Sequence, residues 1–261
     1  MRTVKLIKMN DKIKDRYSRQ IMLNSIGEEG QQRLLDSSVC VVGCGGLGTP
    51  IITKLVAMGV GKIKIIDRDF VEMSNLHRQH LFREEDLHKA KCGTAKESLL
   101  KLNSDCNIEA SIANINDDNA LKNLVGYDVI VDALDSVETR YSVNMASQQL
   151  LKPLVSGAAA GTSGQVMTII PQIGTACYNC NFKELDSSNA PVCGRDGVDP
   201  SILSIVAGIQ VSETVRLLTG KVPQLVNTIM NIQLDGLNFT KTRTYPDKEC
   251  YHCKQGLGRY E

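Results

Sequence analysis

The 261-residue sequence predicts an α/β fold built on a doubly wound, mostly parallel β-sheet with helices on both faces. Two patterns lead to this prediction. From residue 37 onward, short apolar runs alternate with longer segments of helical periodicity, which is typical of repeated strand–helix units. The first apolar run, residues 39–42, leads directly into the glycine-rich segment 43–48, as a buried strand does when it turns into a helix.

The individual elements follow from these patterns and from the turn signals between them. Strands are predicted at residues 39–42, 62–66, 108–112, 128–131, 154–156, 166–170, 228–234 and 237–244. Helices are predicted at residues 15–35, 47–58, 83–102 and 201–218, with another beginning near Val137. The glycine- and alanine-rich segment 157–164 predicts a turn, and Asp235-Gly236 predicts a hairpin between the last two strands. The helical segment 15–35 is expected on the outside of the domain or against a second subunit.

The overall composition argues against several classes of partner. The formal net charge is +1, so no global field favours nucleic acid or an anionic membrane. No apolar run reaches the roughly 20 residues that span a bilayer, and the N-terminal residues lack the apolar stretch of a secretory signal. We therefore expect a cytoplasmic protein without a nucleic-acid or membrane partner.

Four of the nine cysteines form two matching pairs, Cys177 with Cys180 and Cys250 with Cys253. Two such pairs supply four thiolates for one tetrahedral Zn²⁺ if the fold brings them together. All four positions would be ligands, which leaves none open for a catalytic water, so a structural zinc site is predicted. A pair of disulfides is the alternative, and a reducing cytoplasm disfavours it.

The glycine-rich segment indicates a phosphate-binding turn. Its glycines, Gly43, Gly45, Gly46 and Gly48, bring backbone N–H groups to a helix N-terminus, where phosphates bind. Alone, this motif is typical of NAD or FAD binding. Asp67, about 20 residues beyond it, suits a ribose-hydroxyl acceptor in either case.

A dense polar set after the second strand favours ATP over a dinucleotide. A dehydrogenase needs a proton donor and a substrate domain, whereas adenylation needs cations at the phosphates and a carboxylate for Mg²⁺. The polar set comprises Asp69, Asn75, Arg78, Gln79 and Lys91. Asp132 or Asp135, at the carboxyl edge of the fourth strand, supplies the carboxylate at the same crevice. The sequence therefore predicts a site that binds ATP and Mg²⁺.

These motifs, in this order, resemble the MoeB/ThiF/HesA family of ubiquitin-activating-like adenylyltransferases, and most closely its MoeB/ThiF sulfur-carrier activators. The matching segments are residues 16–20, 43–48, 67–69, 74–79, 132–135, both cysteine pairs, and Gly208-Ile209-Gln210 with Glu213. The resemblance implies a Rossmann-like sheet extended by antiparallel C-terminal strands, in a homodimer. It also implies ATP-dependent adenylation of the C-terminal Gly-Gly carboxylate of a small ubiquitin-like sulfur-carrier protein, with release of pyrophosphate.

The resemblance assigns roles to individual residues. Asp135 would bind Mg²⁺, Arg78 and Lys91 would contact the phosphates, and Asp67 would hold the ribose. Asn75 and Gln79 would shape the pocket around the phosphates. Arg19 matches a family arginine that reaches the ATP of the partner subunit, so the dimer would complete each site.

The proposed chemistry needs no general base. A C-terminal carboxylate, with a pKa of about 3.5, is already an anion at neutral pH and can attack the α-phosphorus directly. Cys193 matches a cysteine that some family members use for a covalent link with the carrier during sulfur transfer. The alternative, given equal weight, is that Cys193 is a loop cysteine with no chemical role. The reactivity of a thiol depends on its pKa and its exposure, which the sequence does not give.

The resemblance covers nearly the whole chain, which we interpret as a single ThiF-type domain over residues 1–261. Residues 1–35 form a helical arm, 36–170 a nucleotide-binding half, and 171–261 a zinc and carrier-binding half. The expected pathways are molybdopterin, thiamine or tRNA-thiolation synthesis, with sulfur from a separate donor protein. The alternatives are adenylation of another peptide, an NAD-dependent oxidoreductase, and a non-catalytic zinc scaffold that binds the carrier.

Overall fold

The computed structural model describes residues 9–183 and 197–253, which form an α/β fold around one eight-stranded sheet. The strands are β1 (Ser38–Val42), β2 (Lys62–Ile66), β3 (Asn107–Ser111), β4 (Val129–Asp132), β5 (Leu154–Ala160), β6 (Ser163–Ile169), β7 (Thr228–Gln233) and β8 (Asn238–Arg243). Their spatial order is β3-β2-β1-β4-β5-β6-β7-β8. The strands from β3 to β5 pair in parallel, and β6, β7 and β8 pair antiparallel. The predicted mixed sheet is confirmed.

Helices cover both faces of this sheet. The described helices are α1 (Asp11–Arg16), α2 (Ser18–Ile21), α3 (Gly27–Asp36), α4 (Gly48–Ala57), α5 (Lys91–Leu102), α6 (Ala120–Leu124), α7 (Val137–Leu150), α8 (Tyr178–Asn181) and α9 (Pro200–Leu218). One apolar cluster joins α3, α4, α5 and α9 to the sheet. A second cluster joins α6, α7 and the cysteine pairs to the other face. The order of strands reverses between β1 and β4, so a crevice opens at their carboxyl ends.

Helix α9 is long and apolar enough to cross a membrane, with a mean hydropathy of 1.4 over an 18-residue window. Its packing explains this composition. Ten of its residues are buried, among them Ile202, Val206 and Gln210, and the helix lies against β5, β6 and α4. A core helix between a sheet and another helix is apolar on most of its surface for the same reason.

Three predicted elements differ from the structure. The predicted helix 83–102 is interrupted, since Glu84–Asp86 is a 3₁₀ turn, His88 has a φ of +66°, and the helix begins only at Lys91. The predicted turn 157–164 is a hairpin whose strands reach Ala160 and resume at Ser163. The predicted helix 15–35 is replaced by the three short helices α1, α2 and α3. The remaining strands agree with prediction to within one or two residues at most ends.

Candidate nucleotide site and cysteine cluster

The glycine-rich turn after β1 packs so tightly that side chains are excluded at two positions. Gly43 has a φ of +103°, and a Cβ there would lie 2.5 Å from the Ala133 carbonyl oxygen. A Cβ on Gly48 would lie 2.0 Å from the Gly43 carbonyl oxygen. Only glycine fits such a turn, which presents the amino end of α4 to the crevice. Gly45 and Gly46 line the same crevice.

Asp67, directly after β2, is held against this turn by its carboxylate. Its Oδ2 accepts from the Cys44 backbone N–H at 2.6 Å and its Oδ1 accepts from the Asp69 N–H at 2.7 Å. Burial raises the pKa of Asp67, and these two hydrogen bonds oppose that effect. The carboxylate thus ties the glycine turn to the end of β2 and faces the cleft.

Two cations converge on the same cleft from different elements. Lys91 is the first residue of α5; its side chain is 7% exposed, and its Nζ lies 3.3 Å from Asp69 Oδ2. Arg78 is half-buried, and its guanidinium donates to the Ser74 carbonyl at 2.9 Å. Both line the cleft. A nearly buried lysine with one exposed carboxylate partner retains donors that can bind an anion.

Two amide side chains line the cleft beside these cations. Asn75 and Gln79 are buried, at 7% and 3% exposure. Their oxygens, Oδ1 of Asn75 and Oε1 of Gln79, have no hydrogen-bond partner among the described residues. Buried polar atoms are nearly always paired, so these two indicate that the cleft receives a ligand.

The two aspartates that follow β4 have different surroundings. Asp132 is 1% exposed; its Oδ2 accepts from Ser156 Oγ at 2.6 Å and lies 3.4 Å from Arg140 Nη1. Asp135 is exposed on the loop three residues later and lines the cleft. Of the two carboxylates that the sequence offered, Asp135 is therefore the one with oxygens open to a cation.

These groups line one continuous cleft of about 1040 Å³. Apolar side chains of Ala113, Ile115 and Val137 line it together with Asp67 and Asp135. The cleft also continues across the antiparallel strands, where most of its lining is small or carries neutral amides: residues 158–160, Gln165, Asn231, Gln233 and Asn238. No motif had pointed to these residues, because a strand that lines a cleft has the same alternating pattern as one that lines a core.

The four predicted metal-binding cysteines come together beside α7. Their Sγ atoms lie within 4.8 Å of one another, with 3.7 Å from Cys177 to Cys180, 3.7 Å from Cys177 to Cys250 and 3.4 Å from Cys180 to Cys253. A tetrahedral zinc with Zn–S bonds of about 2.3 Å places its sulfurs about 3.8 Å apart, so the donor set fits Zn²⁺. Hydrogen bonds from the Cys177 and Cys253 thiols lower the pKa of Cys180.

Two predicted site residues are not part of this cleft as the structure describes it. Arg19 is exposed on α2, where its Nη1 lies 3.9 Å from Met22 Sδ, and it is absent from the described lining of its own chain's cleft. Cys193 lies outside the described residues. The other free cysteines that the structure describes, Cys40, Cys44, Cys92 and Cys106, are all buried.

The glycine turn, the topology and the cleft at the switch point define a Rossmann-like α/β protein. A family model described as the ThiF family matches residues 17–254. The chain belongs to the ThiF family.

Relatives agree with this assignment, and a solved structure has the same fold. The "Sulfur carrier protein adenylyltransferase" of Thermus thermophilus is 38% identical over 245 residues, which cover 92% of this chain and 90% of that protein. The "Adenylyltransferase and sulfurtransferase MOCS3" of Aedes aegypti is 38% identical over 248 residues, covering 94% of this chain and 56% of that protein. The chain thus spans about half the length of the MOCS3 relatives that it matches. A crystal structure of E. coli MccB with MccA-N7isoASN has the same fold, with a TM-score of 0.82 at 24% identity over 91% of this chain and 74% of that one.

Proposed function

We propose that the protein adenylates the C-terminal Gly-Gly carboxylate of a small ubiquitin-like sulfur-carrier protein, with ATP as the donor and pyrophosphate as the leaving group. The observation that carries this proposal is the convergence of the glycine turn, Lys91, Arg78 and Asp135 on one cleft. Membership of the ThiF family and the 38% identity to a sulfur carrier protein adenylyltransferase support it.

In this proposal each part of the cleft binds one part of ATP. The apolar side chains Ala113, Ile115 and Val137 receive the base, and Asp67 accepts from the ribose hydroxyls. The phosphates lie over Gly43, Gly45, Gly46 and Gly48, within reach of Arg78 and Lys91, and beside Asp69, Asn75 and Gln79. Mg²⁺, held by Asp135, neutralises charge on the phosphate oxygens.

The antiparallel side of the cleft suits an extended peptide tail. Its alanines leave room for backbone, and its neutral amides can donate to and accept from peptide groups. A Gly-Gly terminus carries no side chains and could lie along such a surface in an extended conformation. Its carboxylate arrives already ionised, so the chain's task is to align it with the α-phosphorus and to stabilise the charge that develops on the phosphoryl oxygens.

Further parts of the proposal concern the assembly. The active form is a homodimer in which Arg19 of one subunit reaches the ATP of the other, as the family resemblance implies. The four-cysteine cluster holds one structural Zn²⁺. Sulfur comes from a separate donor protein, Cys193 is a candidate for the covalent transfer step, and the protein acts in the cytoplasm, where four reduced thiols can bind zinc.

Pyrophosphate exchange tests the reaction. Purified protein, Mg²⁺, ATP and labelled pyrophosphate should produce labelled ATP only when a carrier ending in Gly-Gly is present. The same carrier without its last two glycines is the matched control. Intact-mass measurement of the carrier should show addition of AMP, and metal analysis should find one zinc per chain. Exchange that is independent of every carrier, or seen only with an unrelated peptide, would contradict the proposed substrate.

A further inference from the structure

Helix α7 contacts both the nucleotide cleft and the cysteine cluster through one face. Arg140 and Asn144 lie one helical turn apart and are both buried, at 5% and 0% exposure. Residues four apart on a helix project from the same side. This face of α7 therefore connects two sites that are far apart in the sequence.

At the cleft end, Arg140 fixes the loop that carries Asp135. Its Nη1 lies 3.4 Å from Asp132 Oδ2, and its Nη2 donates to the Leu134 carbonyl. The Asp132 carboxylate also accepts from the Leu134 backbone N–H at 3.0 Å. Both backbone polar groups of the residue directly before Asp135 are thus held by this buried ion pair.

At the cluster end, the Asn144 amide binds both cysteine pairs. Its Oδ1 accepts from the Tyr178 backbone N–H at 3.0 Å, and its Nδ2 lies 2.9 Å from His252 Nδ1. Tyr178 stands between Cys177 and Cys180, and His252 stands between Cys250 and Cys253. The hydrogen bonds of Asn144 on α7 therefore depend on how the two cysteine pairs are placed relative to each other.

Tyr178 lies between the cysteine cluster and Arg140. It is 4% exposed, and it lines the same small cavity as Arg140. A residue inside a cysteine pair thus lies beside the side chain that holds the Asp135 loop.

We propose that zinc bound by the four cysteines positions the Asp135 loop through Tyr178, Asn144 and Arg140, so that zinc occupancy raises the affinity of the cleft for Mg-ATP. Zinc would fix the two cysteine pairs in one arrangement, and residues that orient a metal site extend that order to their neighbours. Tyr178 and Arg140 act as positioning residues. The inference rests on the nucleotide site proposed above. Linkage then requires that Mg-ATP raise the affinity for zinc by the same factor.

The two cysteine pairs offer a matched pair of variants. Each pair has a tyrosine after its first cysteine, but Tyr178 is buried against Arg140 whereas Tyr251 is 64% exposed. In the zinc-loaded full-length protein, Tyr178→Phe should weaken Mg-ATP binding about five- to tenfold, within the usual range of coupling between sites. Tyr251→Phe should leave it unchanged. Calorimetric titration gives the dissociation constants, and atomic absorption verifies one zinc per chain in each variant.

The reciprocal measurement needs no variant that could misfold. Zinc affinity of the wild-type protein is determined by competition with a chelator of known affinity, with and without saturating Mg-ATP. We expect Mg-ATP to tighten zinc binding by the same factor by which zinc tightens Mg-ATP binding, and to do so less in Tyr178→Phe. The same titration on that variant corrects for zinc bound by free ATP.

The outcomes separate this inference from the proposed function. A zinc-loaded wild-type protein that binds no Mg-ATP contradicts the nucleotide site itself. If the wild type binds Mg-ATP but its zinc affinity does not respond to the nucleotide, the coupling is wrong, even if Tyr178→Phe is impaired. Equal Mg-ATP affinities in Tyr178→Phe and Tyr251→Phe overturn the path through Arg140.

Discussion

At the scale of single residues, two aspartates three positions apart have opposite environments. Asp132 ends β4 with its carboxylate inside the fold, paired with Arg140 and Ser156. Asp135 lies on the following loop, exposed at the cleft. Because burial of an ionised carboxylate is costly unless it is fully paired, Asp132 has a structural task, and Asp135 is free to bind a cation.

Replacement of each aspartate by asparagine should separate these tasks. Asp135→Asn removes the charge that is proposed to hold Mg²⁺ and should lower the rate of carrier adenylation about 10²- to 10³-fold, while the melting temperature stays within a degree or so of wild type. Asp132→Asn leaves Arg140 buried without its partner and should destabilise the fold by about 3–5 kcal/mol. Pyrophosphate exchange and thermal denaturation measure the two effects. Near-normal exchange in Asp135→Asn would refute its assigned role.

The buried cysteines give a pH-dependent expectation. Burial raises the pKa of Cys40 and of Cys106 to about 12, well above the ordinary thiol value. A raised pKa keeps these groups protonated, and the thiolate is the form that reacts with iodoacetamide. In the folded protein, labelling of both residues should stay negligible from about pH 7 to pH 9 and appear only on unfolding. Peptide mass spectrometry locates the label, and rapid labelling of native Cys40 would contradict its burial.

At the scale of secondary-structure elements, the sequence correctly predicted those elements whose local pattern is typical of one kind of structure. Strands β1 and β2 were found to within one residue, since β1 contains a short continuous apolar run and β2 alternates lysine and isoleucine, and both patterns are typical of strands. The hairpin of β7 and β8 was predicted by Asp235-Gly236 for a similarly local reason.

The prediction of one continuous helix over residues 83–102 was wrong, because tertiary contacts outweighed the helical periodicity of the sequence. Asp86 accepts from the Arg83 N–H, His88 takes a left-handed conformation, and the chain returns to pair Val71 with residues 88 and 89. This detour brings the Lys91 N–H to within 3.0 Å of the Asp69 carbonyl. A continuous helix would not place the Lys91 side chain beside the cleft. Helix propensity depends on the local sequence only, so it could not predict this interruption.

The prediction of a turn over residues 157–164 was wrong for a different reason. Small residues in a strand leave room for a neighbour: a Cβ on Gly157 would meet the Gln210 side chain at 2.3 Å, and one on Gly164 would meet Val206 at 2.4 Å. The approach of α9 to β5 and β6 therefore requires glycine inside the strands, although glycine more commonly signals a turn. The family motif containing Gln210 is explained by this contact.

Glu213 shows how the same helix is attached to the sheet. Its buried carboxylate accepts from the backbone N–H groups of Gln224 and Leu225 and from the Thr168 hydroxyl, at 2.8 to 2.9 Å. Glu213→Gln cannot accept all three and should lower the free energy of unfolding by about 1–3 kcal/mol. Urea denaturation measures the change. Glu97→Gln, at an exposed position of α5, is the matched control, and equal stability of the two variants would contradict this role.

At the scale of the whole molecule, the sheet has a parallel part and an antiparallel part, and each part lines a different portion of the cleft. The parallel strands end at the glycine turn and the aspartates, and the antiparallel strands continue the same cleft beyond them. The cysteine cluster joins segments 73 residues apart and lies against α7, between the halves. The spacing of the cysteine pairs was sufficient to predict the cluster, but not its position beside α7, which depends on topology.

Arg19 is the site residue that a single chain explains least. It is exposed on α2 and lines no part of its own chain's described cleft, so its proposed role needs a second subunit. Complementation between two inactive variants tests this role. Arg19→Ala and Asp135→Asn should each abolish most of the adenylation activity, since each site is proposed to use Arg19 from one subunit and Asp135 from the other.

In a mixed dimer of these two variants, the Arg19→Ala subunit retains Asp135 and receives an intact Arg19 from its partner, so one of the two sites is complete. Random reassortment after mild unfolding and refolding of an equal mixture should therefore restore about a quarter of wild-type activity. The unmixed variants, treated identically, should stay inactive. If Arg19 acted within its own subunit, each mixed dimer would contain one site lacking Arg19 and one lacking Asp135, and mixing would restore nothing.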